Sequence, residues 1–375
     1  MKKLAVVSLA TLALATVPSL HAQFSISPLT GFGGADGWFA PGEGGYAHVS
    51  TGDLQRGMAY GNDHLYVVSR ANVSGDGIHI RILDKLTGAD LGALNDTGIS
   101  GGTFAVNRVG VANDGAIYVA NLSTANAAGS PFKVYQWNTE ASAPTTAYSG
   151  VVLAGARVGD STLGVIGGGS STRLVSGYGA SPLIAGNNGY AVVDPTTSSA
   201  VTVGFTGTPP AAGDFRLGIT VGPGNQVWGN QGSSTLRETT FSGATGTLLG
   251  TATGLSSIAE RPMDYAVING LPVLATISTG DARVRVYDAS NPLALVLLGT
   301  GYNGSGTLAA NGNGTGDVAW GDVIDNGDGT STARLYALSS NQGIQAFNIV
   351  VPEPGTGALL GLGLSALIAL RRSRK

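Results

Sequence analysis

Between residues 23 and 350 the chain repeats itself, and that repeat constrains its fold more than any other feature. Arg56 opens the run Arg-Gly-Met-Ala-Tyr, which is followed by a Gly61-Asn62-Asp63 turn and a second run from His64 to Ser69. Arg108 opens Arg-Val-Gly-Val-Ala, followed by an Asn113-Asp114-Gly115 turn and the run from Ala116 to Ala120. Related openings stand at Arg157-Val158-Gly159, Arg216-Leu217-Gly218 and Arg261-Pro262-Met263, and a sixth, near Asp317-Val318-Ala319-Trp320, lacks the arginine. Each unit has a third alternating run before an Asx or Ser residue: Asp84, Asn138, Asp194, Ser242, Asp288 and Asn348. Such side chains bond the backbone two residues on and start turns. A fourth run follows in most units, as in Ala200 to Phe205, Thr247 to Thr251 and Leu293 to Leu298.

No window carries a long 3.6-residue apolar period, so the body reads as all-β. Four-strand units that open 45 to 59 residues apart predict a β-propeller of four-stranded antiparallel sheets. Six blades is the favoured count, with seven if residues 24–55 form a divergent blade. A β-helix fits less well because its repeats are much shorter. The last unit ends at Ile349 without room for a fourth strand. An N-terminal run, Phe24 to Ser27 or Tyr46 to Val49, is expected to supply that strand and close the ring. The 60 glycines among 375 residues fit this reading, because converging inner strands and tight hairpins need small residues that tolerate positive φ.

Both ends look like addresses. Met1-Lys2-Lys3, an apolar run from Leu4 to Ala15 and the Pro18 to Ala22 segment have the three parts of a secretory signal. This predicts a signal peptide over 1–22, the propeller domain over 23–350 and a separate tail over 351–375. In that tail Val351-Pro352-Glu353-Pro354 precedes an apolar run from Gly355 to Leu370 and the basic end Arg371-Arg372-Ser373-Arg374-Lys375. As a helix the apolar run would rise only about 24 Å, short of a roughly 30 Å hydrocarbon core, and its basic end favours the cytoplasmic side.

The tail resembles the PEP-CTERM sorting signal, recognised by exosortase-type membrane peptidases of bacteria that export polysaccharide. Val351, Pro352, Glu353, Pro354, Arg371 and Arg372 carry the resemblance. It implies an exosortase-type peptidase as partner, a transient membrane contact through a C-terminal transmembrane helix, cleavage near Pro-Glu-Pro, and release to the cell envelope or the exterior. The alternative is an ordinary single-span anchor. The body is also similar to an uncharacterised domain family of exported bacterial proteins that pair a propeller-like body with this tail. The matching stretches are Gly98 to Phe104, Leu153 to Asp160, Gly213 to Gly218 and Thr307 to Gly314. This resemblance implies no activity.

Six of the 20 basic residues and one of the 23 acidic residues lie in the end segments, leaving 14 basic against 22 acidic in the body. A net acidic body argues against nucleic acid as a partner, since phosphate binding needs a concentrated basic face. The chain has no cysteine, which excludes disulfides, thiolate metal sites and a cysteine nucleophile. No Gly-x-Ser-x-Gly, His-Glu-x-x-His or phosphate-binding loop occurs, so no catalytic residue, metal ligand or cofactor is expected.

The candidate site is the repeating arginine. In a propeller Arg56, Arg108, Arg157, Arg216 and Arg261 would ring one end of the channel. Guanidinium groups so placed suit carboxylate or sulfate groups through bidentate hydrogen bonds. The competing reading pairs each with a nearby acid, among them Asp53, Asp160, Asp214, Glu260 and Asp264, as ties between blades. Asp325-Asn326-Gly327-Asp328-Gly329 has the composition of a calcium loop, but its acids lack the required spacing, and a hairpin turn is expected. Asp36, Trp38, Glu43, Tyr46 and His48 lie in a Gly-rich stretch that is either a glycan-stacking loop or a loop packed on the propeller. The functional expectation is a non-enzymatic exported propeller that binds or organises extracellular polysaccharide. The alternatives are a secreted glycan-active enzyme and a purely structural surface protein.

Overall fold

The computed structural model describes residues 23–45, 49–70, 78–179, 188–206, 214–231 and 236–352. Six small antiparallel sheets follow one another along the chain and form a six-bladed β-propeller. The first strands, in blade order, are Gln55–Gly61, Phe104–Val111, the pair Arg157–Val158 and Gly164–Ile166, Gly218–Val221, Glu260–Ile268 and Gly316–Asp325. Each blade is a meander, so the first strand runs from one face of the disc to the other, the second returns, and the third descends again.

The core is divided as the blades are. Six clusters of buried apolar side chains lie one at each junction between neighbouring blades. Tyr66, Ile80, Val109 and Trp137 join the first and second blades, and Val175, Tyr190, Phe215 and Val227 join the third and fourth. Val273, Val286, Leu335 and Phe347 join the fifth and sixth, and Met58, Leu65, Tyr336 and Ile344 join the sixth to the first. A middle strand is therefore covered on both faces, which is why Ile117–Leu122 is buried at every residue and shows no polar alternation.

The ring closes through the N-terminus. Ser25–Pro28 pairs antiparallel with Gly343–Pro352 as the outer strand of blade six, with Ser25 opposite Val350 and Pro28 opposite Phe347. Of the two expected closing runs, the first is the one used. Trp38–Phe39 continues the same edge opposite Gln345 and Ile344. Between them Phe32 inserts its ring beside Phe39 and Tyr336, sealing blade six to blade one.

Three expectations need correction. Ala200 to Phe205 is not one strand: Ser199–Thr202 stays in blade three, while Gly204–Thr206 crosses to pair in parallel with Thr245 to Thr247 of blade four. The buried Val203 marks the switch, its side chain entering the junction between these blades. Asn348 does not end its strand, because Arg334 faces it in a ladder that continues to Pro352. Leu293 to Leu298 begins late, with the strand running Val296–Gly301. At three of the remaining positions the turns form as expected: the Asp84, Asp194 and Asp288 carboxylates accept from backbone N–H groups two residues on.

Candidate functional site

Arg56, Arg157, Arg216 and Arg261 stand within two residues of the start of their blades' first strands, and Arg108 stands where regular pairing resumes in its strand, opposite Ala120, so all five come to one end of the channel, here termed the collar face. They differ in what they touch. Arg108 is fully buried and donates to the carbonyls of Arg56, Gly316 and Asp160, on blades one, six and three. Its guanidinium also lies 3.9 Å from Asp317. It thereby plugs the channel and ties four blades together. Arg56 donates to the Asp53 carbonyl and stands 3.6 Å from Asp160. Arg157 makes a 2.7 Å bond to the same Asp160 carboxylate. Burial pushes the Asp160 carboxyl up, but Arg157, Arg108 and Arg56 together hold it below its ordinary value.

The remaining two have no carboxylate partner among the described residues. Arg216 bonds the Gln231 amide oxygen at 3.3 Å, and Arg261 reaches the Thr279 hydroxyl at 3.4 Å. Of the acids expected to pair, Asp214 binds Arg237 and Glu260 lies beside Arg285. A sixth cation, Arg70, joins the group over the Phe104 ring at 3.8 Å and near Asn107. Burial lowers the pKa of Arg56, Arg70, Arg108, Arg216 and Arg261; Asp160 pulls the first four back up, while Arg157 pushes Arg56 and Arg216 down and Arg216, with no acid opposing it, pushes Arg261 down. Since arginine stays protonated in proteins, this stress expresses itself as a demand for negative charge. Among the described residues, the buried Nε atoms of Arg70, Arg108 and Arg261 have no hydrogen-bond partner.

Beyond Arg108 the channel widens into a cavity of about 140 Å³ lined by all six first strands. Here lie two acids that sequence reasoning did not single out as a pair. Asp317 accepts from the N–H groups of Met58 and Val318, both at 3.1 Å. Asp264 accepts from the Trp320 N–H at 2.9 Å and, weakly at 3.5 Å, from the Thr220 hydroxyl. Burial pushes Asp317 up to about 8, against the pull of Arg108 and with a further push from Asp264. Asp264 rises to about 7 by burial, although it is only partly buried and touches the cavity.

These acids belong to a series of staples. The Thr162 hydroxyl accepts from the Ile219 N–H at 2.7 Å, Thr220 accepts from Tyr265 at 3.2 Å, and Asn107 donates to the Gly159 carbonyl at 2.6 Å. With Asp264, Asp317 and Arg108, they bridge every pair of adjacent first strands, which splay too far apart for a continuous backbone ladder. No strict sequence spacing marks them: Thr162 and Thr220 stand five and four residues after their arginines, and Asp264 three after its own.

The other candidates resolve simply. Asp325 and Asp328 turn their carboxylates onto the Gly327 and Thr330 N–H groups of a hairpin turn. Trp38 is buried and donates to the Gln342 carbonyl at 2.9 Å, while Asp36 and Glu43 accept from the Trp38 and Ala40 N–H groups. That stretch is packed on the propeller; Tyr46 and His48 lie outside the described residues. So do the signal segment 1–22 and, of the sorting residues, Glu353, Pro354, Arg371 and Arg372, together with the expected C-terminal helix. Among the described residues no helix is long and apolar enough to cross a membrane.

The six blades define a β-propeller, and its last strand ends at Pro352, the first residue of the Pro-Glu-Pro segment. Residues 11–220 match the family described as a domain of unknown function, DUF4623, and the chain belongs to that family. Residues 350–375 match the PEP-CTERM protein-sorting motif, which implies export, processing by an exosortase-type enzyme and membrane anchoring. A solved DUF4623 family protein from Bacteroides eggerthii shares 18% identity and a TM-score of 0.61 over 88% of this chain and 76% of its own. The major Malassezia sympodialis allergen Mala s 1 shares 13% identity at a TM-score of 0.50, covering 80% of this chain and 93% of its own. The Hadza microbial sialidase Hz136 shares 12% at 0.51, covering 82% and 67%. At these identities the likeness is one of fold. No curated protein matches the sequence.

Proposed function

We propose that this exported propeller binds or organises extracellular polysaccharide, and that the collar face is its binding surface for acidic sugars. The observation that carries the reading is the charge imbalance of the collar. Among the described residues six guanidiniums face Asp53, Asp160 and Asp317, the last kept largely protonated by burial, and neither Arg216 nor Arg261 makes an ion pair. A uronate carboxylate or a sulfate ester would supply the missing acceptors through forked hydrogen bonds. The mature chain under this reading runs from about Gln23 to the Pro-Glu-Pro segment.

The cavity supports binding over hydrolysis. Its 140 Å³ falls below the 300 Å³ or so of ordinary ligand pockets. The Asp264 and Asp317 carboxylates are engaged by the backbone of the next blade, so neither is free to meet a glycosidic oxygen. Affinity electrophoresis in gels containing the producer's acidic polysaccharide, or a carboxyl-reduced control, tests the reading. The native chain should be retarded only by the acidic polymer, and the Arg216→Gln, Arg261→Gln double variant should lose most of that retardation while keeping its melting temperature. Equal migration of both proteins would overturn the reading.

A further inference from the structure

The chain leaves the propeller on the side away from the collar. Gly343–Pro352 is a third strand and descends from the collar face, so Pro352 emerges beside Thr330, at the base of the hairpin that follows Asp325. The outer strand Ser25–Pro28 runs the other way, with Ser25 opposite Val350, so the N-terminal end of the body starts from this same exit face. The body is ordered to its limit: Val351 is fully buried and Pro352 is still paired with Thr330. Only Glu353 and Pro354 separate it from the apolar segment that begins at Gly355. Two extended residues reach no more than about 7 Å, too little for the disc to turn over.

The exit face is also apolar at this place. The first strands of blades five and six are long, at 9 and 10 residues, and their hairpins project beyond the other blades. After Trp320 a register shift takes the strand past its neighbours, leaving Val323 and Ile324 exposed at 49% and 43%, with Val267 on the adjacent hairpin at 55%. Ser331 and Asn269 are hydrogen-bonded at 3.1 Å and hold the two hairpins together. Isolated exposed apolar residues are ordinary, but these three stand on the two hairpins that end the first strands of blades five and six, on the face where Gly343–Pro352 also ends.

We propose that, while the sorting tail is attached, the propeller rests its exit face on the bilayer, with Val267, Val323 and Ile324 in the lipid–water interface and the arginine collar turned outward. The exposed Asp325 and Asp328 at the hairpin tip select a zwitterionic surface over a strongly anionic one. The orientation places the collar where extracellular polymer is and keeps the processing segment at the membrane, and it holds whatever ligand the collar takes.

The absence of cysteine makes the test direct. Full-length chains carrying Asn326→Cys on the exit face or Ile258→Cys on the collar-side connection are labelled with a fluorophore and reconstituted into phosphatidylcholine vesicles containing nitroxide-labelled lipid. Both positions are exposed, so folding is preserved. The label at 326 should be quenched several-fold more than that at 258, and adding Val267→Ser and Val323→Ser should weaken the difference. Equal quenching at the two positions, or stronger quenching at 258, overturns the proposal.

Discussion

At the scale of single residues, the channel sets two opposite demands on charge. The collar concentrates cations, whereas the cavity below holds carboxyls whose pKa burial raises. Arg108 stands between them, and its loss would leave the buried carbonyls of Arg56, Gly316 and Asp160 without this donor, a cost of about 1–3 kcal/mol each at most. The cavity acids make a testable contribution of definite sign. Folded, Asp264 and Asp317 hold their protons to about pH 7 and 8, against an ordinary value of 3.8. The folded chain therefore binds more protons than the unfolded chain between about pH 4 and pH 8, so their contribution is complete below that window and is lost as pH rises through it. Carboxyls held low, such as Asp160, act in the reverse sense and only in more acid solution. The stability obtained from urea unfolding should therefore fall from pH 5 to pH 8.5 by several kcal/mol, about 4 from Asp317 and about 3 from Asp264. A flat or rising profile would mean that both carboxyls ionise freely in the folded protein.

At the scale of elements, adjacent blades are held by apolar wedges outside and polar staples inside, and glycine lets the inner strands come close. A Cβ on Gly218 would lie 1.7 Å from the Arg261 carbonyl oxygen, on the first strand of the next blade. Gly218→Ala must displace backbone and should cost about 3 kcal/mol or more. Gly312→Ala, with nothing within 4 Å of the added atom, should change stability by less than about 0.5 kcal/mol. Similar melting temperatures for the two variants would show that blades four and five separate at little cost. This scale also explains what could be read from the sequence. The turns at Asn62-Asp63 and Asp84 and the alternating runs between them are local, so the blade count followed from them. Asp264 and Thr220 bond backbone on the next blade, 45 to 56 residues away. At a drifting offset from the strand opening, a lone polar residue in an apolar run carries no local sign of its partner. The split at Val203 was hidden for a related reason, because Ala200 to Phe205 alternates without a break in sequence although it serves two sheets.

At the scale of the whole molecule, closure depends on the two ends meeting. Ser27 lies 321 residues from its partner Asn348, so the final junction forms only when nearly the whole body has been made and exported. The entropy of closing so long a loop grows slowly with length, but contacts this distant form late. Until then blade six presents an open strand edge, Gly343–Pro352, that invites pairing with another chain. Ser25 and Val350 stand opposite each other at the exit face, so both halves of the junction meet on one face of the disc. Removing residues 23–39 from the exported chain should abolish more than an edge ladder, because Phe24, Phe32 and Phe39 are all buried and each contributes roughly 1.5–3 kcal/mol. Such a loss is comparable to the roughly 5–15 kcal/mol that holds a typical domain folded. The truncated chain should lose its cooperative thermal transition and associate on size-exclusion chromatography. A monomer with an unchanged midpoint would show instead that five blades and an open sixth are self-sufficient, and that the N-terminal strand is an ornament of the ring and not its clasp.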